Sequence, residues 1–290
     1  MEGRRNQLSV FDASHSARAY WDRAAETYAQ DFSATFIGKK LRGQVWDKLD
    51  RTFLPGDRLL ELNCGTGIDA LHLAAKGIRV MACDISEKMI EMAHRHAEAL
   101  HFSAKVDFRV LATERLATLD SDAPFDGAFS NFSGLNCVED LGEVRRNLGR
   151  LIKPGAMLVI CMLGQFVPWE MAWYLARGDP DKAIRRLQHQ SEPADENGAL
   201  RVHYRSRREV VTAFAPEFRL RRWGGIGIFV PPIYTEQRAR RYPQVVEALD
   251  AADRLVGHLP VFRTLANFML LEFQRSTATR SNHAEHLAGS

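Results

Sequence analysis

Cysteine is scarce in this chain. The 290 residues hold only Cys64, Cys83, Cys137 and Cys161, with no CxxC pair and no Cys/His cluster. No zinc site is indicated, and three of the four sit in or against apolar runs, as reduced, packed residues do. The N-terminus, MEGRRNQLSVFDASHSARAY, lacks an apolar run of the signal-peptide kind, and no window is long and uncharged enough for a membrane span. A cytoplasmic chain is therefore expected. Charge of one sign is also lacking: 39 Lys+Arg against 36 Asp+Glu leave a formal +3, too little to argue for nucleic acid. The arginine groups at 201–208, 219–222 and 238–241 could face an anionic acceptor, but solvated faces account for them, and no basic stripe is interleaved with stacking aromatics.

What is present is an ordinary globular composition, 46% hydrophobic and 26% charged, with a regular rhythm. Arg58–Leu62, Ile78–Cys83, Val106–Val110, Phe125–Ser130 and the run AMLVICML after Lys153-Pro154-Gly155 read as buried strands. Between them lie helical patterns: Ile68, Leu71, Ala74 and Ala75; then Met89, Ala93, Ala97 and Leu100 behind the N-cap candidate Ser86; then Leu141, Val144, Leu148 and Leu151. Near-continuous apolar strands alternating with amphipathic helices predict a parallel sheet covered on both faces. The last two apolar runs, FRLRRWGGIGIF and LANFMLLEF, have no intervening βα unit and read as an antiparallel pair. Residues 164–200 and 231–262 interrupt the rhythm as insertions, and residues 276–290 read as a disordered tail after one domain over 1–275.

The stretch ELNCGTGIDA carries the clearest signal. In a doubly wound sheet, ligands sit beyond the carboxyl ends of the strands. Gly65 and Gly67 follow the first strand and let the backbone approach a ligand or take φ > 0, while the next helix turns its free N–H groups toward the same crevice. Asp84 ends the second strand, where a carboxylate can accept hydrogen bonds from a ribose diol. Gly65-x-Gly67-x-x-Ala70 also fits the dinucleotide fingerprint, so an NAD-linked oxidoreductase, or a noncatalytic nucleoside-binding protein, is the alternative. Against it stand Glu61 beside the turn, which would repel a diphosphate, and Ser130-Asn131-Phe132 after the fourth strand, suited to a compact ligand.

Taken together, ELNCGTG, CDIS, FDGAFSNFSGLNCV and LIKPGAMLVI resemble the successive motifs of class I S-adenosylmethionine-dependent methyltransferases, in a flavour similar to the quinone-biosynthesis enzymes. The resemblance covers residues 16–165 and the terminal strand near 265–273. It implies an α/β, Rossmann-like, doubly wound seven-stranded sheet with its last strand antiparallel and helical insertions forming a cap. It also implies S-adenosyl-L-methionine as cofactor and a small acceptor, apolar or aromatic. Glu61 and the turn Asn63, Cys64, Gly65 and Gly67 would hold the methionine part. Asp84 would take the ribose, Ile85 and Met89 the adenine, and Asn131 would sit near the transferred methyl. Ala112 stands where an Asp is often found beside the adenine amine, leaving Thr113 or backbone groups for that task. Tyr20 and Tyr28 would cover the cofactor, an aromatic face suiting a sulfonium.

Methyl transfer from a sulfonium needs a nucleophile held close and collinear, without metal, and a base only for an acidic acceptor. His203, Tyr204 and Tyr234 are the candidates for that base; a strand edge equally accounts for the first two. His94, His96 and His101 fit a solvated helix face. Phe166, Trp169, Trp173 and Tyr174 read either as an apolar lid over the acceptor or as a satellite core. On the lid reading both insertions, with the segment around Tyr20–Tyr28, close over the carboxyl ends of the fourth and fifth strands.

Overall fold

The computed structural model describes residues 16–28, 32–119, 124–192, 194–195 and 198–277. The expected polar tail lies, from residue 278 onward, outside the described residues.

Helix α1 covers residues 16–28 and α2 Phe36–Thr52. Then β1 (Arg58–Leu62), α3 (Ile68–Ala75), β2 (Arg79–Asp84), α4 (Glu87–Ala99), β3 (Val106–Val110), β4 (Phe125–Ser130), α5 (Leu141–Leu151) and β5 (Ile152–Leu163) alternate. Helices α6 (Pro168–Leu175) and α7 (Pro180–Ile184), several two-residue strands and α8 (Arg207–Phe214) lead to β6 (Phe218–Ile226). Helices α9 (Glu236–Arg241) and α10 (Pro243–Val256) precede β7 (Phe268–Arg275).

One seven-stranded sheet forms in the order β6-β7-β5-β4-β1-β2-β3. Strands β1 to β5 pair in parallel, and β7 runs antiparallel to both its neighbours. Chain order reverses between β1 and β4, which puts the topological switch point at their carboxyl ends. The strands are apolar on both faces because both are covered. Leu59 and Phe129 face a core shared with α2, α3, α4 and α10, while Leu60, Leu62 and Ala128 face α5 and α8. Helix α5 shows why pattern fixes packing: Leu141, Val144, Leu148 and Leu151 are buried as their spacing requires. Each such side chain contributes about 1.5–3 kcal/mol.

Two helix starts bring distant segments together. Ser86 caps α4, accepting from the Met89 N–H at 3.1 Å, and its hydroxyl donates to Asp22 of α1 at 2.6 Å. Thr35 caps α2, whose Phe36 and Ile37 N–H groups donate to Glu236 at 2.7 and 3.0 Å. The carboxylate favours the positive end of the helix and ties the second insertion to α2. Asp253 of α10 adds to this by accepting from the N–H groups of Ile228, Phe229 and Val230 at 3.1, 2.7 and 3.3 Å. That insertion thus lies against α2 beside β6, not over the carboxyl ends of β4 and β5.

Candidate active site

A cleft of about 430 Å³ opens at the switch point, within the size range of small-molecule sites. Four adjacent strand ends supply its floor: Asn63, Cys64 and Gly65 after β1, Asp84 and Ile85 at β2, Thr113 after β3 and Asn131 after β4. Met89 lines it from α4, and Tyr28 from α1.

The turn after β1 depends on its backbone. Asn63 and Gly65 take φ of 56° and 53°, and the Gly65 N–H donates to Asp84 Oδ2 at 2.9 Å. Asp84 Oδ1 accepts from the Ser86 N–H at 2.9 Å. The carboxylate is thereby aimed across the turn, while burial pushes its pKa above the ordinary value against the pull of those donors. Asn63 bridges the neighbouring strands, its amide donating to Thr113 Oγ1 at 3.0 Å and its Oδ1 accepting from the Ser130 hydroxyl at 3.3 Å.

Gly67 has a different task. It lies off the cleft, and a Cβ there would stand 2.7 Å from the Phe108 ring and 2.9 Å from Ala93. Its φ of 76° and its small size let α3 pack on the sheet. A Cβ on Gly65, by contrast, would meet Tyr28 Cε1 at 3.8 Å, on the cleft side. Glu61 also stays behind the cleft, 1% exposed, with Oε2 unpartnered and its pKa pushed well above the ordinary value by burial.

The far end of the cleft holds a charged group that the motifs did not reveal. Arg42 of α2 donates to Asp69 Oδ2 at 2.6 Å. Asp69 also accepts from Asn131 Nδ2 at 2.9 Å and from the Trp46 indole at 2.7 Å. Both members of the ion pair are nearly inaccessible, and the Arg42 guanidinium lies over the rings of Phe32 and Phe132. Arg42, Asp69, Asn131 and Phe132 all line the cleft. The spacing of Arg42 and Trp46 on one helix face was the available signal, but their common partner lies on another element.

The cover comes from α1 and from a short segment before α8. Ser16, Ala17, Trp21 and Tyr28 line the cleft from one side; Glu192, Ala199, Leu200, Arg201 and His203 line it from the other. Trp21, one residue from the expected Tyr20, reaches the cleft, while Tyr20 packs with Leu200, Val202 and Tyr204 in a small cluster. Ala112 points elsewhere; Thr113 and Glu114 line the cleft in its place.

Of the base candidates, only His203 lines the cleft. Tyr204 is buried in that cluster, and Tyr234 stacks on Trp173 at 4.9 Å. Phe166, Trp169 and Trp173 also lie outside the cleft. Trp173 is engaged by Tyr234, Arg177 and Arg238, so it joins the two insertions to each other. Buried Glu170 fastens α6 by pairing with Arg186, which also donates to the Gly164 and Asn267 carbonyls. The expected aromatic lid gives way to a satellite cluster, because these rings find partners within the insertions. His96 departs from the solvated face as well, its Nδ1 lying 3.0 Å from the Thr66 carbonyl.

Residues 59–155 match a family model described as a methyltransferase domain. This stretch is a methyltransferase domain. The chain is 33% identical over 115 residues to a ubiquinone biosynthesis O-methyltransferase of Xanthomonas campestris pv. campestris, covering 40% of this chain and 46% of that protein. It is 32% identical over 164 residues to the protein of the same name from Alkalilimnicola ehrlichii, covering 55% and 60%. It thus spans about half the length of such relatives.

Among solved structures, geranyl diphosphate C-methyltransferase from Streptomyces coelicolor A3(2), in complex with Mg2+, geranyl diphosphate and S-adenosyl-L-homocysteine, superposes with a TM-score of 0.53 at 18% identity, over 81% of this chain and 79% of that one. A SAM-dependent methyltransferase from Methanosarcina mazei gives 0.55 at 20% identity, over 79% and 97%. These likenesses establish the shared Rossmann-like fold. The methyltransferase domain holds the glycine turn and Asp84, and the NAD-linked alternative gains no support from any of these matches.

Proposed function

We propose that the chain is an S-adenosylmethionine-dependent methyltransferase acting on a small apolar or aromatic acceptor. One observation carries this reading: Gly65, Asp84, Thr113 and Asn131, from the ends of four adjacent strands, line a single cleft. The dimensions and donor set suit the cofactor. Asp84 can accept from the ribose diol, with Ile85 and Met89 as an apolar wall for adenine. Arg42 and Asp69, a paired cation and anion at the far end, suit the zwitterionic amino acid end. Tyr28 and Trp21 offer ring faces to a sulfonium. When bound, the cofactor supplies an electrophilic methyl group with a neutral leaving group.

The chain's own residues then hold the acceptor collinear with that methyl and exclude water. Asn131 and Phe132 delimit the floor, and α1 with residues 198–203 form the cover. The names of the relatives support a small, ring-containing acceptor. Isothermal calorimetry with S-adenosylhomocysteine and NAD tests the reading. One site for the former and none for NAD is expected; binding of NAD alone overturns it.

A further inference from the structure

His203 is the one histidine among the described residues lining the cleft. Its backbone is fixed from two directions. The wholly buried Asn136 donates from Nδ2 to the His203 carbonyl at 2.7 Å and accepts at Oδ1 from the Leu163 N–H at 3.0 Å. On the other side His203 pairs with Gln190, and the adjacent Tyr204 N–H donates to the His189 carbonyl at 2.7 Å. Asn136 thus joins the end of β5 and the turn after β4 to the strand that carries the imidazole. The half-buried ring is held at the cap, on the side of the cleft away from the Arg42–Asp69 pair.

The charged groups nearby have other engagements. Arg201 donates to Glu192 at 2.6 Å, and Arg205 to the carbonyls of Leu135, Val138 and Glu139 at 3.3, 2.7 and 2.7 Å. Cys137 lines the cleft with its thiol pushed up to about 12 by burial, so it stays protonated. Glu114, on the β3 side, is pushed above its ordinary value by burial, and the Glu139 side chain lies at the exposed rim. Burial, with Arg205 and Arg201, pulls His203 down to about 4, leaving an uncharged ring with a free acceptor nitrogen at neutral pH. Around it, Trp21, Val138, Ala199 and Leu200 give the compartment apolar walls.

We propose that His203 is a catalytic residue, the proton acceptor for a hydroxyl on an apolar ring, which makes the acceptor a phenol and the transfer an O-methylation. This rests on the methyltransferase reading above. The acceptor oxygen forms a bond to the methyl carbon as the carbon–sulfur bond breaks, the bonding pair staying on sulfur. The hydroxyl proton, acidified as the oxygen gives up electron density, passes to the imidazole. One positive charge leaves the sulfonium and one appears on the ring, so atoms and charge balance with no further reactant.

The test uses the full chain, S-adenosylmethionine and a series of ring-substituted phenols of graded acidity, with S-adenosylhomocysteine release as readout. His203→Asn and His203→Gln keep a polar group but cannot take up the proton. For phenols of ordinary acidity, pKa about 10, kcat should fall about a hundredfold, the scale of general base catalysis. KM should change little. The loss should shrink along the series and vanish for nitrophenols already ionised at the assay pH. Equal losses across the series, no loss at all, or turnover of ring amines without any phenol would overturn the proposal. Calorimetry separates the two readings: a chain that fails to bind S-adenosylhomocysteine refutes the methyltransferase reading, whereas one that binds it but methylates no phenol refutes only this one.

Discussion

The two sides of the cleft are built by different means. The cofactor side is made of strand ends and one turn, and its geometry is local: Gly65 lies three residues past β1, and Asp84 is the last residue of β2. The acceptor side is made of contacts between segments far apart in the chain, α1 against residues 198–203, with Asn136 and Asp22 as fasteners. A site that depends on backbone conformation leaves a mark in the residues that permit it. A site assembled from side chains of separate elements leaves little, because each contributor is chemically ordinary on its own.

The largest effect should come from breaking the local side at its turn. Gly65→Val places a branched side chain at φ of 53°, facing Tyr28 and the cleft, and should abolish measurable S-adenosylhomocysteine binding while far-ultraviolet circular dichroism stays near wild type. Gly67→Val is the control. Its Cβ collides with Phe108 and Ala93, so it should lower stability by about 1–3 kcal/mol from overpacking, with a further cost from its φ. If both variants lost only binding, or both only stability, the division between a ligand-facing and a packing glycine would fall.

Arg42→Ala probes the long-range side. It leaves Asp69 buried with only the Trp46 and Asn131 donors, and removing one partner of a buried pair costs about 3–5 kcal/mol. Denaturant unfolding measures this. Cofactor affinity should fall as well, since the cation lines the cleft; a stable variant with normal affinity would show the pair to be idle.

Asp84→Asn keeps the shape of the side chain but removes its charge. Losing a charge-assisted acceptor toward the ribose diol corresponds to about 1.5–3 kcal/mol, a tenfold or greater loss of affinity. An unchanged calorimetric affinity in the folded variant would remove Asp84 from the site.

The sheet was legible in the sequence because strand and helix periods differ, and every strand of the parallel half was bounded by Gly, Pro or an acid. The β3 and β4 limits match the pattern residue for residue. In the site, Gly65, Asp84, Ile85, Met89 and Asn131 were visible as strand-end and helix-start positions. Arg42 was not, since its partner Asp69 lies 27 positions away and nothing in the FIGKKLRGQVW pattern separates a buried Arg from the exposed lysines beside it. Tyr20 and Trp21 were indistinguishable for a related reason: one residue on a helix is a rotation of about 100°, and the face that meets the cleft is fixed by the docking of Asp22 on Ser86.

The smallest effects separate two tryptophans that the sequence cannot rank. Trp169 is 47% exposed on α6, outside the cleft, whereas Trp21 lines it opposite Leu200. Trp169→Ala should behave as a surface change, within about 0.5 kcal/mol in stability, with acceptor KM and S-adenosylhomocysteine affinity both near wild type. Trp21→Ala removes a wall that the acceptor contacts equally in ground and transition states. It should therefore raise acceptor KM about tenfold with kcat nearly unchanged, as expected when uniform binding is lost. The contrast can be broken in one direction only. A KM that rises for Trp169→Ala and not for Trp21→Ala would mean that the acceptor enters over the aromatic cluster of α6, and the cover formed by α1 and residues 198–203 would then be a wall of the cofactor site alone.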